Sequence, residues 1–531
     1  MKTRIKAACL PACLPACLPA CLPACLPACL PACLPACRAK CAPRLALVVV
    51  LGVFGCSSDT TENAEHVEQA ARVGDNVSLT GLTTIGQQLA TVQQSEQSLA
   101  VVHQAGGDVM LAAFNDFNST PGTSLSGLAV SNTINPGFLT WTRQAPLSPI
   151  APFVFLHGDP WIVANTGSGA IVHYAMLADK VIMANAPSAI AVASSADGGV
   201  NWPTLAQASS PACIDADKPS IDTSADGQTV WVGYVCINAS GSPSVHVARR
   251  VGTGWQDSFV TNISNVGALA SNASPIVKRD LVNPLHVIVA WEDDNNQVRQ
   301  IRMMQSVDGG ATWGADALPV FPFLTTDPPL LGFNGNDARN KIHFWFTIDP
   351  KNGHCVIVRH QWQSLFYRIR GRQTWDPPLA HPIADSGSVK WFQPIIAGNL
   401  SYLAVSYYVE VNPLQPKRLV TWSKLSSDGG QTWTANSQPD QLSWPSVAPG
   451  GFVTDGWEPC VQVDPARGNY FGDYIGLSPL WAPWQPLNDQ ISRRFFTAWA
   501  DSRPLGGGAA CPTQNGSIAI HQHSVGELWG L

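Results

Sequence analysis

From about residue 90 onward the chain repeats one hydropathy pattern: a polar residue, a proline, an apolar run, then segments that alternate apolar and polar and close on a tryptophan. Alternation with a period of two is the mark of a strand that buries one face. The proline-led runs begin at Asp159-Pro160, Asp217-Lys218-Pro219, Ser274-Pro275, Asp327-Pro328, Gln393-Pro394 and Glu458-Pro459. Proline is tolerated at the first residue of a strand, where no ladder amide is lost. Glu96 opens a further run of the same kind without the proline. The closing tryptophans are Trp141, Trp202, Trp255, Trp313, Trp375 and Trp433. Their spacing of about 60 residues suits one four-stranded antiparallel sheet with its loops. The pattern predicts an all-β repeat protein of seven such sheets, or six if one unit is an inserted sheet.

Three of the tryptophans end a tighter motif: SADGGVNW at Ser195 to Trp202, SVDGGATW at Ser306 to Trp313 and SSDGGQTW at Ser426 to Trp433. The paired glycines supply the positive φ of a tight turn. Asp197, Asp308 and Asp428 can accept bonds from the turn's own amides. Trp202, Trp313 and Trp433 bury large rings against the neighbouring sheet. None of these groups is placed for chemistry. The motif resembles the Asp-box of bacterial neuraminidase repeats, S-x-D-x-G-x-T-W, which in sialidase-like proteins marks the turn between the two outer strands of a β-propeller blade. The resemblance implies a β-propeller of four-stranded antiparallel blades, with these turns on the face away from the ligand.

Charged residues make up 13% of the chain and the formal charge is −6, without basic blocks, which argues against nucleic-acid binding. Residues 1–55 read as a signal segment to be removed: seven tandem Cys-Leu-Pro-Ala copies from Cys9 to Ala36, then an apolar run, Leu45 to Phe54. A proline at every fourth residue forbids a helix in that tract. Gly55-Cys56-Ser57 resembles the lipobox of bacterial lipoproteins, which implies lipidation of Cys56 and an envelope location, at the outer membrane or cell surface. Residues 56–79 are expected to form a flexible tether and 80–531 the propeller. Of 15 cysteines, five follow Cys56, and in an exported protein they can oxidise. Cys213 and Cys236 flank one hairpin and are expected to pair. Cys460 and Cys511 share the last unit and are expected to staple it, while Cys355 reads as a buried small hydrophobe.

In such a ring the proline-marked strand starts converge at the channel mouth, so Glu96, Asp159, Asp217, Asp327 and Glu458 are the candidate ligand-binding acids. Five carboxylates in one concavity repel one another, so protonation, a cation such as Ca2+ or sugar hydroxyls would hold them. In the last unit, Asp473, Tyr474, Asp501 and Arg503 are candidate catalytic residues, because sialidases use a tyrosine nucleophile. No F/Y-R-I-P motif precedes the first box, and Tyr367-Arg368-Ile369-Arg370 lacks its proline. No metal and no cofactor is expected: His521 and His523 share a strand face without a third ligand. The reading is an exported, lipid-anchored, monomeric propeller that binds a glycan. Its alternatives are an exo-sialidase or related glycoside hydrolase and a cell-envelope interaction scaffold.

Overall fold

A computed structural model of the chain divides into two units, residues 1–67 and 68–531. The described residues are 77–78, 91–104, 107–116, 124–131, 141–167, 169–180, 188–263, 273–281, 283–295, 298–314, 318–324, 344–361, 364–370, 381–382, 390–411, 418–433, 462–464, 468–470, 475–479, 495–501, 513–514, 517–518 and 520–529. The signal segment, the Cys-Leu-Pro-Ala tract and Cys56 lie outside them.

The described residues form strands and no α-helix, and the sheets are antiparallel meanders arranged as a β-propeller. The sheet of residues 213–262 shows the plan. Inner strand Cys213–Thr223 pairs with Val230–Asn238, which pairs with Pro243–Val251, which pairs with outer strand Gly254–Asn262. Burial follows position. In the second strand every residue from Val230 to Cys236 is buried, because both of its faces meet neighbouring sheets. The outer strand has water on one side and exposes most of its residues.

Inner strands stand side by side around the centre. Thr91–Val102 lies beside Trp161–Ala164, that strand beside Cys213–Thr223, then Ile276–Arg279, Phe344–Ile348, Lys390–Gly398 and Gly476–Pro479, which returns to Thr91–Val102. The core lies between sheets, with Trp291, Tyr174, Tyr234, Tyr407, Phe344 and Phe346 among its largest fully buried side chains. Each such side chain contributes about 1.5 to 3 kcal/mol by leaving water.

The blade count corrects the sequence expectation. Among the described residues five sheets carry four or more strands, so the blades number five and not seven. The first and last strand groups are not separate sheets: Thr91–Val102 pairs in parallel with Ile520–Trp529, which fuses them into one sheet of eight strands. The strands from Lys390 to Ser426 form a sheet of three. Hydrophobic pattern locates strand starts but not which backbone edges join, and that is where the count went astray. Val77–Ser78, within the stretch expected to be tether, pairs with Gly526 and Val525.

Candidate functional site

The inner strands begin with a shared distortion. Glu96, Asp159, Lys218, Ser274 and Gln393 have φ of 58°, 50°, 54°, 40° and 47°, in the left-handed region that side-chain-bearing residues rarely occupy. Pairing registers shift at the same places, between Ser95 and Ser98, between Asp217 and Ser220, and between Phe392 and Ile395. A bulge of this kind re-aims side chains. Each left-handed residue costs on the order of 1 to 3 kcal/mol, and such strain gathers where a site needs it.

These strand starts carry one polar network. Asn115 Nδ2 donates to Glu96 Oε2 at 2.7 Å, and Asn115 Oδ1 accepts from the Asp159 amide at 2.9 Å. Lys218 Nζ meets Asp159 Oδ2 at 2.7 Å, and the Lys218 amide donates to Asp217 Oδ1 at 2.7 Å. A side chain at Gly158 would place its first carbon 1.8 Å from Asn115 Oδ1, so only glycine fits beside the bridge. Glu96, Lys218, Ser274 and Gln393 are buried, whereas Asp159 and Asp217 are half-buried. Burial raises the Asp217 carboxyl to about 6; the Lys218 charge opposes that rise and the Asp159 charge adds to it.

Of the five acids read from the sequence, the structure thus brings Glu96, Asp159 and Asp217 together through Asn115 and Lys218. Asp327 and Glu458 lie outside the described residues. The left-handed position of the third inner strand belongs to Lys218, not Asp217. Alignment on the proline would have found it, since Pro219 follows Lys218 as Pro160 follows Asp159. An ammonium group therefore stands among the acids. No group of three or more His, Cys, Asp or Glu placed to hold a metal occurs among the described residues. Asp473, Tyr474 and Arg503 lie outside the described residues. Asp501 ends strand Phe495–Asp501, opposite His523.

Further along the same inner strands is a cavity of about 200 Å³. The Trp161 and Trp345 rings stack on each other in its wall, 4.8 Å between centroids and 8° from parallel. Lys278 Nζ sits 5.9 Å from the centroid of the Trp161 ring. Ile221, Ile395 and Leu477 supply apolar wall.

The SxDGGxxW turns stand at the other end. Trp161 at the inner strand's start pairs with Ala175; Ala164 at its end pairs with Val172, and Val172 with Ser195, so the turn after Ser195 lies opposite Asp159. Ser195 Oγ donates to Asp197 Oδ1 at 2.7 Å and accepts from the Gly199 amide at 2.9 Å. Asp197 also accepts from the Val200 and Asn201 amides, at 3.1 and 2.9 Å. Led by the Asn201 amide, these bonds hold the Asp197 carboxyl down at about 2. The turns at Asp308 and Asp428 repeat the pattern, with Thr312 and Thr432 as donors. Each turn latches onto the preceding sheet: Trp231 Nε1 donates to Gly309 O at 2.7 Å, and Trp202 packs on the cluster containing Leu111. Trp313 and Trp433 are likewise partly buried against neighbouring clusters.

Two further arrangements bear on chemistry. Cys213 and Cys236 are joined by a disulfide with Cα atoms 5.4 Å apart, and Cys355 is buried. Cys460 and Cys511 lie outside the described residues. Ser244 Oγ lies 3.0 Å from His246 Nε2, and His246 Nδ1 2.8 Å from Asp257 Oδ2, the order of a hydrolase relay. Ser244 is only 3% exposed and its hydroxyl also donates to Cys236 O at 3.2 Å, while Tyr234 OH donates to Asp257 Oδ1 at 2.6 Å. No substrate reaches that serine, and the relay ties strands together.

The fold and site define a class: an all-β propeller with a strained polar network at one end of its ring. No protein-family model matches the chain. No curated protein matches it either. Among solved structures, it is similar to the Hadza microbial sialidase Hz136 at 12% identity and a TM-score of 0.37, over 80% of this chain and 76% of that one. It is also similar to the α-L-arabinofuranosidase Arb93A from Fusarium graminearum, at 13% identity and a TM-score of 0.40, over 66% and 97% of the two chains. A third likeness is to Trypanosoma rangeli sialidase, at 12% identity and a TM-score of 0.38, over 66% of this chain and 57% of that one.

Proposed function

We propose that this chain is an exported, lipid-anchored propeller of the sialidase-like kind that binds a carbohydrate where its bulged inner strands begin. The observation that carries the reading is the network of Glu96, Asn115, Asp159, Lys218 and Asp217 at those strained starts, a distortion that Ser274 and Gln393 share. The half-buried Asp159 and Asp217 offer carboxylates to sugar hydroxyls, and the buried Glu96, Asn115 and Lys218 hold them in place. The three SxDGGxxW turns serve as Asp-boxes on the opposite face. A glycan array followed by calorimetry tests the reading: binding should occur and fall at least about tenfold in Asp159→Asn, the loss expected for a charge-assisted bond. An array without hits on folded protein overturns it. Cys56 carries the anchor, so labelling with a palmitate analogue should vanish in Cys56→Ala.

A second reading, glycoside hydrolysis, is favoured by one observation. Burial raises the Asp217 carboxyl to about 6, and neighbouring Asp159 is ion-paired to Lys218; a pair of carboxyl groups, one with a raised proton affinity, is what acid–base hydrolysis uses. Under this reading Tyr474 is the nucleophile, with Asp473, Asp501 and Arg503 beside it. Turnover of a fluorogenic sialoside or aryl glycosides between pH 4 and 8, abolished by Tyr474→Phe or Asp217→Asn, would establish it; absence of turnover leaves a binding protein.

A further inference from the structure

Among the described residues, the cation at the central cavity has no counter-ion. Lys278 lines it, and its only specific contact among the described residues is the face of Trp161. An indole face returns part of the hydration an ammonium loses on burial, and a carboxylate would return more. Around the cation the walls are mixed: Ile221, Ile395, Leu477 and the Trp161 and Trp345 stack on the apolar side, with Ser98, Thr347 and Ser478 among the polar lining. At about 200 Å³ the cavity is larger than the roughly 150 Å³ apolar cavity that takes up benzene. The chemistry is thus one positive charge beside stacked indoles and isoleucines, in a cavity with room for a six-membered ring.

From this geometry we infer a second ligand site inside the ring, for a small monocarboxylate with an apolar, ring-sized body. The carboxylate meets Lys278 Nζ and the body rests against the indole stack and the isoleucines. One cation matches a single negative charge, whereas a phosphate dianion would keep a second charge without a counter-ion. The site is separate from the network of Glu96, Asp159 and Lys218 and does not depend on carbohydrate binding there.

Benzoate is the probe and benzamide its neutral counterpart, titrated into the full-length protein and followed by tryptophan fluorescence and calorimetry. Benzoate should bind saturably and at least about tenfold more tightly than benzamide, the margin of a charge-assisted bond. Lys278→Met should lose that margin, Lys278→Arg should keep it, and Asp159→Asn should leave it unchanged. The inference is overturned if benzoate does not saturate, if the two probes bind alike, or if Lys278→Met binds benzoate as the parent does. The comparison of probes on the unsubstituted protein decides the matter even if Lys278→Met does not fold.

Discussion

Gly310→Ala tests the latch between sheets. Gly310 has φ of +87°, and a methyl there would sit 3.0 Å from both Cδ1 and Nε1 of Trp231. The dihedral alone costs about 1 to 2 kcal/mol. Trp231 is 2% exposed, packed with Val287, Val289 and Trp291, and bonded through Nε1 to Gly309 O at 2.7 Å, so the ring cannot swing aside freely. Overpacking adds about 1 to 3 kcal/mol, and losing the indole bond about 1 kcal/mol more. The expected destabilisation is about 3 to 6 kcal/mol. Gly252→Ala is the control: φ is +62° and a methyl would meet nothing within 4 Å, so only the dihedral cost of about 1 to 2 kcal/mol applies. Urea unfolding followed by tryptophan fluorescence gives both values, provided the slopes agree. A difference between the variants below about 0.5 kcal/mol, the error of such comparisons, would refute the latch.

Lys218→Met should destabilise by about 2 to 4 kcal/mol, because it leaves the half-buried Asp159 and Asp217 carboxyls without their cation. It should also raise the Asp217 carboxyl further, which NMR titration would read; an unchanged Asp217 would refute the pairing. His173 is held at about 4, mainly by burial and then by Arg250, against the Gly227 carbonyl it donates to. The unfolded chain therefore takes up that proton first, and stability present above about pH 6.5 is lost as pH falls towards 4. Urea midpoints between pH 7.5 and 4.5 should fall in the parent and fall less in His173→Gln. Asp217, raised to about 6, acts in the opposite sense: its contribution diminishes as pH rises from about 4 to 6, and Asp217→Asn should remove that slope. Replacing Cys213 and Cys236 by serine should cost about 3 kcal/mol, as expected for opening a loop of this length, measured by the same unfolding.

The periodic features were legible in sequence because each depends on local chemistry. Paired glycines and an aspartate two residues after a serine make a turn wherever they stand, and the prolines marked the inner strands. What distant residues create was not legible. Asn115 lies in a second strand with no motif around it, yet it joins Glu96 to Asp159. Trp161 and Trp345 stack although their strands are not neighbours in the ring. Lys218 was overlooked because the eye follows carboxylates, and the blade count failed because a parallel pair of strands leaves no mark on hydropathy.

That parallel pair has a consequence for synthesis. Thr91–Val102 offers its inner edge to a partner, Ile520–Trp529, that leaves the ribosome last among the described strands. Until then the first sheet presents unpaired amides and carbonyls to any passing chain, an invitation to edge-to-edge aggregation. The molecule must wait, open like an unclasped bracelet, and nascent copies crowded on one messenger are the nearest wrong partners.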